Sequence, residues 1–422
     1  MTGVATTTKR EANKNYQTAL LLLASSTVGV GYMTYPRLCA NIGVGNLLLV
    51  FSCCGLLSLF YTSLILRVYL IRKADSYPEL ARRVLGEGHY FAMLAVLTFY
   101  LTFSMIPQLT MMAHLCRKFA FGRFESVARV NWLPNAIIVA VSTLLSFVDL
   151  RRIRTLSYVG NFFSLYLGLI LILQAMHQVL TRGVPGQFRL FAFNREILSA
   201  FATCLFSFTN QIAFVPIIKV LRNDTDYLHF ATVLRSQYLG FLLYSNIGVS
   251  GYLLTGAAAP AFIVHKAGTP SRLESLFQYG CMGLLGSLSV TFCLKVYALR
   301  QIWMCMYDDL TRGTAPRKDV RRAAKVLISL VSGAAAVLIS VKVRNDIMEF
   351  ISLACSVLCP YIIFICPTLM ALRLRNELNL TARRALFLQT MASVWTGVLL
   401  CAIGKTVHEK VLVPFLARPI TL

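Results

Sequence analysis

The segment Ser25-Ser26-Thr27-Val28-Gly29-Val30-Gly31-Tyr32-Met33-Thr34-Tyr35-Pro36 decides how this chain is read. It places two glycines, four hydroxyl-bearing residues and a proline inside the first long apolar run. At membrane depth a backbone N–H or C=O left unpaired costs several kcal/mol, so an interrupted helix persists only where those groups face protein, water or a bound solute. The interruption therefore marks a candidate solute site. A second segment, Leu205-Phe206-Ser207-Phe208-Thr209-Asn210-Gln211-Ile212-Ala213-Phe214-Val215-Pro216, has the same character. Pro216 follows Thr209 at the interval by which Pro36 follows Gly29. Paired interruptions at corresponding positions point to an inverted-repeat secondary transporter with its site between the broken helices, near the bilayer midplane. The bland reading is that Gly and Pro are simply commoner in membrane helices, and recurrence at matching positions weighs against it.

Composition agrees. Of 422 residues, 57% are hydrophobic and 14% charged, and the mean hydropathy is +0.66, which leaves too little polar surface for a soluble domain of this size. Apolar runs of about 20 residues can span a bilayer. They fall near 17–36, 46–71, 90–115, 132–148, 156–180, 196–218, 230–255, 275–299, 323–341, 347–372 and 384–404, which predicts an all-α polytopic protein of about eleven spans. The first run lacks the small-residue cleavage site of a signal peptide and is expected to stay in the mature chain. The expected organisation is a tail at 1–16, a transmembrane domain at 17–407 and a short tail at 408–422.

Lys and Arg crowd the loops that would be cytoplasmic if the N-terminus lies inside, so the N-terminus is expected in the cytosol, although the loop holding Arg117, Lys118, Arg123 and Arg129 dilutes the bias. The net charge of +24 then reads as this excess plus attraction to anionic headgroups. Lipid is an expected partner. Nucleic acid is not, for want of a basic and aromatic domain outside the membrane. The glycosylation sequons at Asn223 and Asn379 fall in expected inside loops and should be unmodified.

Between the second and third spans, Ser76 and Glu79 have capping-box spacing, Pro78 sits in the first turn, Leu80, Val84 and Leu85 share a face and Gly86 can end the helix. A short amphipathic helix at the inner interface is predicted. This stretch, Tyr77-Pro78-Glu79-Leu80-Ala81 through Gly86, resembles the Tyr-x-x-Leu-Ala-x-x-x-x-Gly segment of the amino acid/auxin permease family. The first interrupted run is similar to that family's Gly-x-Gly-to-Pro segment, though the usual Ile-Leu-x-x-Pro wording is missing. Phe206-Ser207-Phe208 followed by Pro216-Ile217-Ile218-Lys219-Val220-Leu221-Arg222-Asn223 resembles its sixth helix and exit, and Gly251-Tyr252-Leu253-Leu254-Thr255-Gly256 the end of its seventh.

The resemblance implies the fold of the amino-acid/polyamine/organocation superfamily: eleven helices in a five-plus-five inverted repeat (LeuT-like), discontinuous first and sixth helices, and a free amino acid as substrate. The residues fit that chemistry. A carboxylate needs N–H donors and a positive helix end, which a half-helix starting after Gly31 would supply, and Gly29 and Gly31 would let solute approach the backbone. Thr27 lies at the same break. Carbonyls around Phe208, Thr209 and Asn210 could accept from an α-ammonium, with Asn210 and Gln211 adding amide contacts. The alternative for both amides is hydrogen bonding between packed helices.

No cofactor or metal is expected, and the coupling ion stays open between Na⁺ and H⁺, as expected of a symporter. In sodium-linked relatives of the fold an eighth-helix hydroxyl joins a cation site; Thr291 resembles it, and Ser26 and Thr27 could serve from the first helix. Lys295 lies one turn beyond Thr291 on the same face. It is either a resident intramembrane cation or, as its offset from the span centre favours, a side chain that snorkels to the headgroups. The twelve cysteines show no ligand or redox spacing, and an intramembrane enzyme would need paired His or carboxylates, so no catalytic residue is expected. The leading function is secondary amino-acid transport by a monomer in the plasma membrane or a vacuolar/lysosomal membrane. The alternative is an amino-acid-sensing receptor of the same fold, which longer tails or a loop domain would favour.

Overall fold

A computed structural model of the chain describes residues 16–24, 26, 30–119, 133–145, 150–185, 188–219, 226–266, 271–310, 318–343, 351 and 355–408. Among these residues there are helices and connecting turns but no strand. Helical residues fall within each of the apolar segments marked out above, and seven helices among the described residues are long and apolar enough to cross a membrane. All of the expected tails at 1–16 and 408–422 except Tyr16 and His408, the sequon at Asn223, and Arg123 and Arg129 lie outside the described residues.

The first span opens with helix α1 (16–24), Ser26 is also helical, and from Val30 the described chain forms a 3₁₀ turn, Val30–Thr34, that runs into α2 (Tyr35–Ile42). Regular α-helix thus begins at Tyr35, later than the sequence suggested. The Thr34 hydroxyl donates to the Gly31 carbonyl at 2.6 Å and Pro36, in the first turn, needs no helical donor of its own, so the tighter turn is satisfied locally. Helix α3 (Val44–Ile71) follows at once. The turn between them uses Gly43 at φ +85°, a conformation that glycine adopts without steric cost. Segment 188–194 straps this junction: Gly45 N–H donates to the Leu190 carbonyl at 2.7 Å and Ala192 N–H to the Ile42 carbonyl at 3.0 Å.

Helix α4 (Tyr77–Leu85) forms as the capping residues require, Ser76 Oγ accepting from Glu79 N–H at 3.3 Å. Its apolar face, Tyr77, Leu80, Ala81 and Val84, is buried, and Tyr77 Oη donates to the Ile362 carbonyl at 2.8 Å. Next come α5 (Glu87–Phe119), α6 (Leu133–Leu145) and α7 (Leu150–Arg182). The sixth span is two pieces, α8 (Glu196–Ser207) and α9 (Gln211–Ile218). Then follow α10 (Asp226–Thr255), α11 (Arg272–Leu310) and α12 (Lys318–Val343). A π turn at Pro360–Ile365 leads into α13 (Cys366–Arg373), and α14 (Ala382–Val407) follows.

Helices in lipid gain little from burying apolar surface against each other and pack through close backbone approach. The clearest case is α10 on α2, where a Cβ at Gly251 would lie 2.3 Å from Pro36 Cγ and one at Gly248 would lie 3.3 Å from Tyr35 Cβ. The small-residue face of the seventh span therefore seats the second half of the first. At the end of α9, Lys219 pairs with Asp75 and holds that carboxyl below the usual carboxylate range by hydrogen bond and charge. All twelve cysteines are free thiols.

Candidate functional site

The sixth span breaks because Phe208, Thr209 and Asn210 leave the helix. Phe208 N–H still reaches the Cys204 and Leu205 carbonyls, at 3.2 Å each, and Thr209 N–H reaches the Phe206 carbonyl at 3.2 Å, so these two donors are satisfied within α8. The carbonyls are satisfied from neighbouring helices. Tyr244 Oη on α10 donates to the Ser207 carbonyl at 2.9 Å, and Ser58 Oγ on α3 donates to the Phe208 carbonyl at 2.7 Å. The carbonyl end of α8 and the N–H end of α9 meet here, so partial charges of opposite sign converge on one buried place.

Side chains complete a polar centre. Thr62 Oγ1 donates to Asn210 Oδ1 at 3.2 Å, Gln211 Nε2 approaches Thr62 Oγ1 at 3.3 Å and Ser58 Oγ at 3.4 Å, and Gln237 Nε2 reaches Ser58 Oγ at 2.9 Å. All five residues are buried. Yet Asn210 Nδ2, Gln211 Oε1 and Gln237 Oε1 have no hydrogen-bond partner. A buried unpaired polar atom costs about 1–3 kcal/mol, so three of them at one break mark a place made for something more than packing. Aromatic rings wall it: Phe208 and Tyr244 lie 5.1 Å apart, Tyr35 and Tyr244 5.2 Å, and Tyr35 and Phe51 4.6 Å.

Of the residues expected at the site, Asn210, Gln211, Phe208 and Thr209 lie together here. The amides do bond to α3, as the packing alternative held, but each keeps one atom unsatisfied. Thr209 Oγ1 donates back to the Leu205 carbonyl at 2.9 Å. The Phe208 carbonyl, expected to be open to an ammonium, already accepts from Ser58. Gly31 faces the break, but against protein: a Cβ there would sit 2.5 Å from Ser207 Oγ, so the glycine is needed for the approach of the two broken spans. Ser26 Oγ donates to the Leu23 carbonyl at 2.8 Å within its own helix. Thr27 and Gly29 lie outside the described residues.

Thr291 and Lys295 face α5. Gln108 Nε2 donates to Thr291 Oγ1 and to the Leu288 carbonyl, each at 2.6 Å, while Lys295 Nζ donates to the Ser104 carbonyl at 3.0 Å. The snorkelling expected of Lys295 is therefore corrected: its amine bonds inside the bundle. Ser104 lies within one turn of Pro107, the proline inside α5. Sequence reasoning missed Ser58, Thr62, Gln237 and Tyr244, whose only signal was a polar or phenolic side chain within an apolar run.

Solved transporter structures share the fold of this helical bundle. Crystal structures of two mutants of the Eremococcus coleocola manganese transporter match with TM-scores of 0.55 and 0.53 at 16% and 15% identity, each over 95% of this chain and 89% of the other. At that identity the likeness is one of fold. No curated protein sequence matches the chain. The family model for transmembrane amino acid transporter proteins matches residues 12–408, and the chain belongs to that family.

Proposed function

We propose that this protein is a secondary active transporter that carries free amino acids across a membrane by alternating access at its two broken spans. The observation that carries the reading is the trio of unpaired buried atoms at the break. Asn210 Nδ2 is a donor suited to a carboxylate, while Gln211 Oε1 and Gln237 Oε1 are acceptors suited to an ammonium. A zwitterion of amino-acid size satisfies both kinds at once. Family membership supports the same substrate class. With it we propose eleven spans in a five-plus-five inverted repeat, a cytoplasmic N-terminus, a monomer, and residence in the plasma membrane or a vacuolar/lysosomal membrane.

For coupling, we favour H⁺ over Na⁺. The Thr291 hydroxyl is engaged by Gln108 and donates to the Leu288 carbonyl at 3.0 Å, and the Lys295 ammonium one turn away would repel a second cation held there. The test is uptake of a panel of labelled amino acids into liposomes containing the purified protein, under imposed Na⁺ and pH gradients in turn. At least one amino acid should accumulate, and Gln211→Leu should cut its uptake at least tenfold. No accumulation of any amino acid, or full uptake by Gln211→Leu, overturns the reading.

A further inference from the structure

The segment 188–194 that straps the α2–α3 junction also displays an apolar surface. Phe188, Leu190, Phe191 and Phe193 are 39%, 53%, 50% and 85% exposed, yet the backbone that carries them is fixed. Val44 N–H donates to the Arg189 carbonyl at 3.2 Å, and Arg189 N–H donates to Tyr252 Oη at 3.0 Å. Asn46 Nδ2 donates to the Ala192 carbonyl at 3.0 Å and Asn194 Nδ2 to the Asn41 carbonyl at 2.9 Å. The Phe191 and Phe193 rings stack, with centroids 6.2 Å apart and planes within 4°. Phe191 also covers Gly45, where a Cβ would lie 2.3 Å from its Cε1. Four large apolar side chains are thus held outward by a segment whose own backbone is paired, and a contiguous exposed apolar patch of this kind marks an interaction surface.

Its place in the bundle says what covers it. The 28 residues of α3 run about 42 Å at about 1.5 Å per residue, longer than a hydrocarbon core of about 30 Å, so the first turn of α3 stands at headgroup depth. Gly45, Leu49, Ser52, Leu56 and Phe60 follow one another at helical spacing on one face of α3, and the last four are exposed. That stripe is the lipid side of the helix, and Phe191 extends it past the helix end. Charge is complementary too. Arg189 and Arg195 are exposed, no Asp or Glu occurs in residues 183–195, and Glu196, next in the chain, is paired with Lys405 at 2.9 Å. Apolar rings interleaved with arginines suit the boundary between acyl chains and anionic headgroups. We propose that residues 188–195 anchor the bundle in the membrane surface, with Phe188, Leu190, Phe191 and Phe193 at the acyl boundary and Arg189 and Arg195 holding anionic phospholipid. Because the segment ties the α2–α3 junction and runs directly into α8, this anchor sets the depth of both interrupted spans.

The test is fluorescence of the full chain carrying Phe193→Trp, a substitution at an exposed position, reconstituted in equal mixtures of phosphatidylcholine and phosphatidylglycerol, with the signal of the native tryptophans subtracted. One lipid at a time carries bromine near the headgroup end of its acyl chains, which quenches only an indole in contact with it. The introduced indole should be quenched, and at least twofold more by brominated phosphatidylglycerol than by brominated phosphatidylcholine. Adding Arg189→Gln and Arg195→Gln should abolish that preference while quenching itself remains. An indole that neither lipid quenches overturns the proposal and leaves the patch to a protein partner or a second copy of this chain. Equal quenching by the two lipids before the arginines are changed also overturns it, as does a preference that survives their loss. Leu190→Trp supplies the same readout if Phe193→Trp does not elute as a single species. No solute enters the measurement, so a chain that takes up no amino acid sinks the transport reading and leaves this one standing.

Discussion

Ser58 Oγ donates to the Phe208 carbonyl at 2.7 Å and so joins α3 to the broken sixth span across 150 residues of chain. The same oxygen receives Gln237 Nε2 at 2.9 Å and Gln211 Nε2 at 3.4 Å. A hydroxyl has one donor and two acceptor sites, so Ser58 is fully used, holding a freed carbonyl and two amides in place. Ser58→Ala would leave all three with fewer partners, at about 1–3 kcal/mol for each group left bare. The expected outcome is an unfolding temperature in detergent lower by at least about 2 °C and reduced uptake, with Ser58→Thr close to wild type. Unchanged melting and uptake in Ser58→Ala would show that the break is held by other contacts.

Gly31 and Ser207 set how closely the two broken spans approach. A methyl group at Gly31 would lie 2.5 Å from Ser207 Oγ, well inside van der Waals contact, and Ser207 is a short side chain with little room to swing. Gly31→Ala should lower uptake, Gly31→Leu should abolish it, and Gly31→Ala combined with Ser207→Gly should recover much of the loss. Such recovery is the signature of coupled neighbours in a double-mutant cycle. Additive losses in the double variant would mean that the glycine serves the solute and not the packing.

The α10 to α2 contact makes a prediction about folding. With Pro36 Cγ 2.3 Å from where a Cβ at Gly251 would stand and Ile263 Cδ1 at 3.2 Å, even Gly251→Ala must move a rigid proline ring. Gly251→Leu should therefore lower the yield of monodisperse protein severalfold, as overpacking does in a filled core. Normal yield with only an altered half-saturation concentration would argue that Gly251 lines the solute path instead.

Lys295 predicts the ion dependence. If its ammonium is the resident cation beside Thr291, uptake should be unaffected when choline replaces Na⁺, and Lys295→Met should lower uptake at least tenfold by leaving the α5 carbonyl at Ser104 without its charged donor. Uptake that collapses in choline contradicts this, as does a Lys295→Met protein that transports normally.

Much of the protein was legible from its residues in order. Polar residues followed by a proline inside an apolar run located the break at Phe208–Asn210, since backbone conformation and the cost of bare peptide groups in hydrocarbon are local matters. The cap of α4 was legible for the same reason: Ser76 and Glu79 meet within one turn. What the order of residues left open is which polar side chains come together. Ser58, Thr62, Gln237 and Tyr244 each stand in runs apolar on most sides, where periodicity cannot say which face meets protein, and Lys295 could have turned either way. Their partners lie on other helices: 148 residues separate Thr62 from Asn210, and 191 separate Lys295 from Ser104. In a membrane, apolar surface is as content against lipid as against a neighbouring helix, so only the packed arrangement, through close approach and hydrogen bonding, selects the contacts that make the polar centre.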